Sequence, residues 1–302
     1  MGSRALVPLQ GRSEEGPGAS WSGKEAAPPP FSPFFLYIGI IVWLFVIVLP
    51  ALSFGQEGDN QAGCDNEAFV VVIDVGHSKK SPGATSARGE GEYYFNKAVA
   101  TLLLKELRSA GLTKAFIIDA DSISLKERVQ VANDRKPDLF ISIHHDSVQP
   151  RYLSKWEYDG KEQHYSDIFR GFSIFYSERN ASPKESLAFA DILGQALLNE
   201  GLQPTLHHAE PIPGENRELV DRSKGIYRFD DLAVLAHTQM PAVLLECGVI
   251  VNRDEELLLK STYRQMIVSA LVNAIISAKE KKGLAPVLPW TPPARGPAPL
   301  TP

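Results

Sequence analysis

The sequence predicts an α/β domain of three layers, with helices on both faces of a mostly parallel central sheet. Three observations predict it. Short runs rich in β-branched residues recur at 69–74, 139–143 and 242–245, too short for buried helices. Segments of helical period alternate with them, the pattern of a sheet covered on both sides. Each run ends at or just before a histidine or a carboxylate, namely His77, His144 and Glu246. Functional groups of open α/β sheets gather outside the carboxyl ends of parallel strands, where segments distant in sequence converge.

The elements follow in order. From the strand at 69–74, a loop holding Pro82, Gly83, Gly89 and Gly91 leads to a helix opened by Glu92, in which Ala98, Val99, Leu102, Leu103 and Leu107 recur at helical spacing. A strand at 115–118 precedes a helix at 125–133, whose start is marked by Ser124 as N-cap with Glu127 three residues on. After the strand at 139–143 come a long aromatic stretch, 148–170, and a strand at 172–176. An amphipathic helix at 184–199, the strand at 242–245 and one closing helix over 254–282 complete the domain.

His77, Glu92 and His144 are donor types of a catalytic zinc, which takes three protein ligands and keeps one position open. Glu246 adds a carboxylate suited to proton transfer. Taken alone, Glu92 reads equally well as a first-turn acid favoured by the helix dipole; beside two strand-end histidines it reads as a ligand. The set indicates a zinc hydrolase. No HExxH motif occurs and no Glu follows His77 at His-x-x-Glu spacing, which weakens other zinc peptidase classes.

Other residues have plainer readings. His145 should point to the opposite face from His144. Arg128 and Asn133 are expected to be structural, holding the loop before the 139–143 strand, and His207-His208, within the Pro- and Gly-containing 203–214 stretch, reads as a solvated loop rather than a second metal site. In the 148–170 stretch, Trp156 and its aromatic neighbours either stack on sugar faces or pack on one another. Cys64 and Cys247 could pair, but a packed, reduced Cys247 is the default on a buried strand.

Between 70 and about 282 the chain resembles the zinc-dependent N-acetylmuramoyl-L-alanine amidases of the amidase 3 family. Its blocks stand in family order: Ile73-Asp74-Val75-Gly76-His77, Pro82-Gly83-Ala84, Gly89 with Glu92 and Asn96, Leu125 with Arg128 and Ala132-Asn133, Ser142-Ile143-His144, and Leu245-Glu246 with Gly248 and Asn252. Ser78 and Lys79 replace the glycines usual after the histidine, Val249 replaces a phenylalanine, and His145-Asp146 stand where a small residue and Asn or Asp are common. The resemblance implies zinc held by His77, Glu92 and His144, with Glu246 as catalytic carboxylate. It further implies hydrolysis of the bond between the lactyl group of N-acetylmuramic acid and L-alanine in peptidoglycan, in cell-wall remodelling, daughter-cell separation or autolysis. Two rivals are a zinc peptidase cutting within the stem peptide and a catalytically silent wall-binding scaffold.

The expected organisation is a disordered segment at 1–33, a signal peptide or membrane anchor at 34–54, a linker at 55–68, the catalytic domain at 69–282 and a Pro-rich disordered tail at 283–302. Residues 34–54 form an apolar, uncharged run long enough to cross a bilayer. Ala51-Leu52-Ser53 resembles a cleavage site, so a cleaved signal and an uncleaved anchor both fit, and either implies export to the periplasm or the periplasmic face of the inner membrane. Partners are peptidoglycan, an activator protein, and the membrane where the segment is uncleaved. The chain carries 31 Lys and Arg against 36 Asp and Glu. Because 1–33 is charge-balanced, the acidity lies in the domain and excludes nucleic acid, whose binding needs a basic surface.

Overall fold

The computed structural model describes residues 69–119 and 124–282. The segments read as leader, linker and tail, and Cys64 with them, lie outside the described residues. Among the described residues, no helix is long and apolar enough to cross a membrane.

Among the described residues, nine strands and six α-helices make up the domain. The strands are β1 (Val71–Val75), β2 (Phe116–Ile118), β3 (Leu139–Asp146), β4 (Ser154–Tyr158), β5 (Lys161–Tyr165), β6 (Ser173–Tyr176), β7 (Glu218–Asp221), β8 (Ile226–Arg228) and β9 (Ala242–Val249). The helices are α1 (Glu92–Ser109), α2 (Leu125–Arg135), α3 (Pro183–Asn199), α4 (Ala233–Ala236), α5 (Arg253–Leu259) and α6 (Thr262–Lys281). Seven strands form one sheet in the order β2-β1-β3-β9-β6-β8-β7. Four of its six pairings are parallel, with β6 antiparallel to β9 and β7 antiparallel to β8, so the sheet is mixed but parallel around β1, β3 and β9.

The apolar runs are continuous because both faces of these strands are covered. Val71, Ile73, Ile141, Val243 and Leu245 pack under α1, α3 and α6, while Val72, Phe140, Ala242 and Leu244 pack under α2 and α4. Burying each Val, Leu, Ile or Phe side chain among these is worth about 1.5–3 kcal/mol. The alternation also places Asp74, Ser142, His144 and Glu246 on the α2 face, at the positions where the apolar pattern lapses.

Three elements differ from the sequence reading. The closing helix is two, because Ser261 leaves helical geometry (φ −135°, ψ −104°) and its hydroxyl donates to Leu257 O at 2.9 Å. The 148–170 stretch contains the β4–β5 hairpin, turned by Asp159 (φ 52°) and Gly160 (φ 68°), a pair suited to a two-residue turn with both φ positive. β7 and β8, only four and three residues long, lie between 200 and 241, where the sequence predicts no strand.

Candidate active site

Two residues past β1, the chain turns through Gly76 and His77. Gly76 N donates to Ile143 O at 3.0 Å, and a Cβ on Gly76 would lie 2.5 Å from His144 Nε2, so only glycine leaves that ring its place. His77 has φ 64°, a left-handed conformation costing a non-glycine residue about 1–2 kcal/mol. It is held by Arg128 on α2, which donates to Asp74 Oδ1 at 2.8 Å and also to Val75 O and His77 O. The helix carrying Arg128 begins with the expected capping box, Ser124 with Glu127. Arg128 is therefore structural, as read, but it holds the loop after β1 rather than the one before β3. Asn133 braces a third segment, donating to His237 O and accepting from Gln239 N ahead of β9.

Glu92 is the first residue of α1. The Pro82-Gly83-Ala84 turn caps this helix: Glu92 N donates to Ala84 O, Tyr93 N to Pro82 O, and Ala84 N in return to Glu92 Oε2. Gly83 takes φ 77°, and a Cβ there would sit 2.4 Å from Glu92 Oε2 and 2.5 Å from His77 Cδ2. The two Glu92 oxygens are shared out, Oε2 lying 3.0 Å from His77 Nε2 and Oε1 3.0 Å from His144 Nδ1. Burial alone would raise the Glu92 carboxyl, but hydrogen bonds from His144 and His77 outweigh it and hold the group well below its ordinary range.

Asn96, one turn along α1, orients this carboxylate. Its Nδ2 donates to Glu92 Oε1 and Gly76 O, each at 3.1 Å, while its Oδ1 accepts from His145 Nδ1 at 2.7 Å. His145 points to the α1 face, as expected from strand alternation, and packs near Phe95. Burial pushes its ring down to about 3, so it is neutral and acts through Asn96, while the backbone N–H of His145 donates to Glu92 Oε1 at 3.1 Å.

The ligating atoms of His77, Glu92 and His144 all lie within 4.8 Å of one another. Their 3.0 Å contacts approach the ~3.3 Å between ligands of a tetrahedral ion with ~2.0–2.1 Å bonds. Two imidazoles and one carboxylate, cradled by glycines that admit no Cβ, suit a divalent ion of the zinc type.

Glu246 pairs in register with His144 across the β3–β9 ladder. Its Oε2 is buried with no hydrogen-bond partner among the described residues. Burial, then the Asp146 and Glu92 carboxylates, push its own carboxyl well above the usual range. A cavity of about 150 Å³ opens beside it, bounded by His208, Glu215, Arg217 and Phe229. Cys247 follows on the opposite face as a free, buried thiol.

One expectation around this site changes, and one alternative left open by the sequence is narrowed. His207 is buried, not solvated: Thr205 N donates to Phe172 O at 2.8 Å, which ties the segment to the sheet, and both His207 and His208 turn toward Asp146 at the end of β3. Trp156 stacks on Tyr158 with centroids 5.3 Å apart, donates Nε1 to Ala87 O at 2.8 Å, and lies beside Arg88 and Arg253. The aromatics of the hairpin thus pack on one another and on the 87–88 loop.

The sequence model of a family described as N-acetylmuramoyl-L-alanine amidase, amidase 3, matches residues 71–277. The chain belongs to the amidase 3 family. It is accordingly a hydrolase of the N-acetylmuramoyl-L-alanine amidase class. The N-acetylmuramoyl-L-alanine amidase AmiA of Salmonella typhimurium is 26% identical over 223 residues, covering 69% of this chain and 75% of that one. The uncharacterised protein YqiI of Bacillus subtilis is 30% identical over 219 residues, covering 72% and 88%. Among solved structures, the catalytic domain of the amidase CwlV from Bacillus (Paenibacillus) polymyxa var. colistinus is 27% identical with a TM-score of 0.52, covering 72% of this chain and 99% of that one. The amidase fold, with its seven-stranded mixed sheet flanked by helices, is shared with these structures.

Proposed function

We propose that His77, Glu92 and His144 hold a zinc ion and that Glu246 is the catalytic carboxylate of an amidase that cuts the bond between N-acetylmuramic acid and L-alanine of peptidoglycan. One observation carries the reading: the buried, unpaired Oε2 of Glu246 stands one ladder step from His144, the only buried carboxylate oxygen without a partner among the described residues.

An amide is a poor electrophile with a poor leaving group, because resonance delocalises its nitrogen lone pair. Held by His77, Glu92 and His144, a zinc ion would supply Lewis acidity toward the carbonyl and toward water near neutral pH. Glu246 takes the proton from the attacking water and delivers it to the departing nitrogen. A carboxyl held above its ordinary range by burial is suited to both transfers, since it binds the proton firmly enough to carry it and releases it to an amine. Asn96, His145 and Arg128 keep the ligands aimed without touching substrate. The bland alternative for each ligand, a core histidine or a capping acid, leaves unexplained why three of them turn onto one point.

The substrate lies outside the cytoplasmic membrane, which accords with the apolar 34–54 segment acting as signal peptide or anchor and with a role in wall remodelling, cell separation or autolysis. The test is digestion of sacculi by the full chain and by Glu246→Gln, with chelator and then zinc, and products read by mass. Intact stem peptides with a free L-alanine terminus are expected, lost with chelator, restored by zinc and reduced roughly 10²–10⁴-fold in the variant. Fragments cut within the stem would make the enzyme a peptidase. Zinc binding with no release, even with an activator protein supplied, would make it a scaffold.

A further inference from the structure

A second group of metal-ligand residue types, separate from His77, Glu92 and His144, is built on Asp146, two residues beyond His144 on β3. His207 Nε2 and His208 Nε2 approach the same oxygen, Asp146 Oδ2, at 3.2 and 2.8 Å, and the three ligand atoms lie within 4.8 Å of one another. The His207 side chain is only 2% exposed, and its Nε2 makes no hydrogen bond among the described residues although it faces that oxygen. Each ring is fixed from behind, His207 Nδ1 on Thr205 Oγ1 and His208 Nδ1 on Glu215 Oε2, both at 2.8 Å. Metal-binding histidines are held in this way, the far nitrogen donating to an oxygen so that the near one presents its lone pair.

We propose that Asp146, His207 and His208 form a second site for a divalent ion of the zinc type, distinct from the His77-Glu92-His144 centre. With each Nδ1 donating to its oxygen, two imidazole lone pairs and a carboxylate oxygen converge on one point, an arrangement that repels unless a cation lies between. Protonation of the rings is the competing source of that charge. The metal is favoured by His207 Nε2, which is buried and faces Asp146 Oδ2 at 3.2 Å without the hydrogen bond a protonated ring would make there, and by the donor set, since imidazole with one carboxylate suits zinc-type ions over magnesium or calcium. It is also favoured by the separations, which are near those between ligands sharing one ion.

The site would act as a staple. Asp146 ends β3, whereas His207 and His208 lie on a short turn 61 and 62 residues later in the chain. Joining them fixes the 205–215 segment, of which His208, Gly214 and Glu215 line the cavity next to Glu246. The ion would thus set one wall of the space where the substrate's reacting group must lie.

Metal content of the full-length protein tests this, comparing wild type, His77→Ala, the double variant His207→Gln with His208→Gln, and all three changes together. Two equivalents of zinc are expected in wild type, one in each partial variant and none in the combined one. A single equivalent that survives His77→Ala but is lost in the His207/His208 variant would support the second site while removing the catalytic-centre reading. A single equivalent lost in His77→Ala and retained in the His207/His208 variant would overturn the proposal. Cobalt titration of metal-stripped His77→Ala protein guards against misfolding of the double variant. Visible d–d bands that appear there and vanish on adding His208→Gln support the site, and their absence from folded His77→Ala protein overturns it.

Discussion

Replacing Arg128 with Lys should weaken metal binding at a centre that Arg128 never touches. The guanidinium serves Asp74 Oδ1, Val75 O and His77 O from one planar fork. A lysine ammonium is a compact point charge on a different stem and can retain the Asp74 pair while losing the two carbonyls. Each lost bond from a charged donor is worth about 1.5–3 kcal/mol, and the near-complete burial of Arg128 leaves little screening by solvent, so global stability should fall by about 3–6 kcal/mol. Part of that loss falls on His77, whose left-handed backbone is disfavoured by about 1–2 kcal/mol and needs its carbonyl tethered. Releasing it lets the imidazole drift off Glu92. Loss of a partner behind a metal ligand costs roughly 10–100-fold in affinity, which matches that strain in size. Competition for zinc against a chromophoric chelator, alongside urea unfolding, measures both effects. Arg88→Lys is the control, because Arg88 bridges Arg253 O and Glu256 Oε2, each at 2.7 Å, away from the metal ligands; it should lose stability with zinc affinity intact. Zinc affinity in Arg128→Lys within threefold of wild type would refute the argument and leave Arg128 a role in folding only.

Gly76→Ala should place a methyl 2.5 Å from His144 Nε2 and deprive the proposed metal centre of that ring; zinc analysis would show the loss, and full occupancy with normal turnover would contradict it. Glu255 is buried beside the N–H groups of Gly171 and Val249, and burial pushes its carboxyl up from 4.5 to about 7 despite those donors. Its contribution to stability is therefore complete below pH 4.5 and lost as pH rises through 7, on the order of 3 kcal/mol, so Glu255→Gln should flatten the pH 5–8 part of the urea-unfolding profile. Identical profiles would count against that assignment. Trp156→Ala should lower stability by about 2 kcal/mol, since a half-buried ring and its Nε1 bond to Ala87 O are lost, and leave sacculus binding unchanged. Weaker binding at unchanged stability would instead make the ring a sugar platform.

How far the sequence could be read depended on whether a signal was local or repeated. β1, β3 and β9 were legible because strands covered on both faces need unbroken β-branched runs, and the candidate site residues stand out because they sit where those runs stop. The start of α1 at Glu92 and the capping box of α2 were legible because helix termini constrain a few neighbouring residues. The Asp159-Gly160 pair was an available hairpin signal that the aromatic composition of the stretch obscured. β7 and β8 are too short to show alternation, and no local pattern announces that Ser261 breaks a helix. The His207-His208 pair was misjudged because prolines and glycines around it suggest solvent, whereas its burial depends on Asp146, about 60 residues earlier, and on Phe172. Such long-range satisfaction of polar groups leaves no periodic trace.

The position of β9 has a consequence for when the protein becomes active. It is the last of the described strands, yet it lies fourth of seven in the sheet, hydrogen-bonded to β3 on one side and β6 on the other. Until residue 249 has been made and inserted, the sheet is two fragments with exposed inner edges, and His144 has no Glu246 beside it. A chain still being synthesised, or clipped before β9, therefore has His77, Glu92 and His144 but lacks Glu246, the proposed proton carrier. Completion of the fold is itself the safeguard against a half-made wall-cutting enzyme.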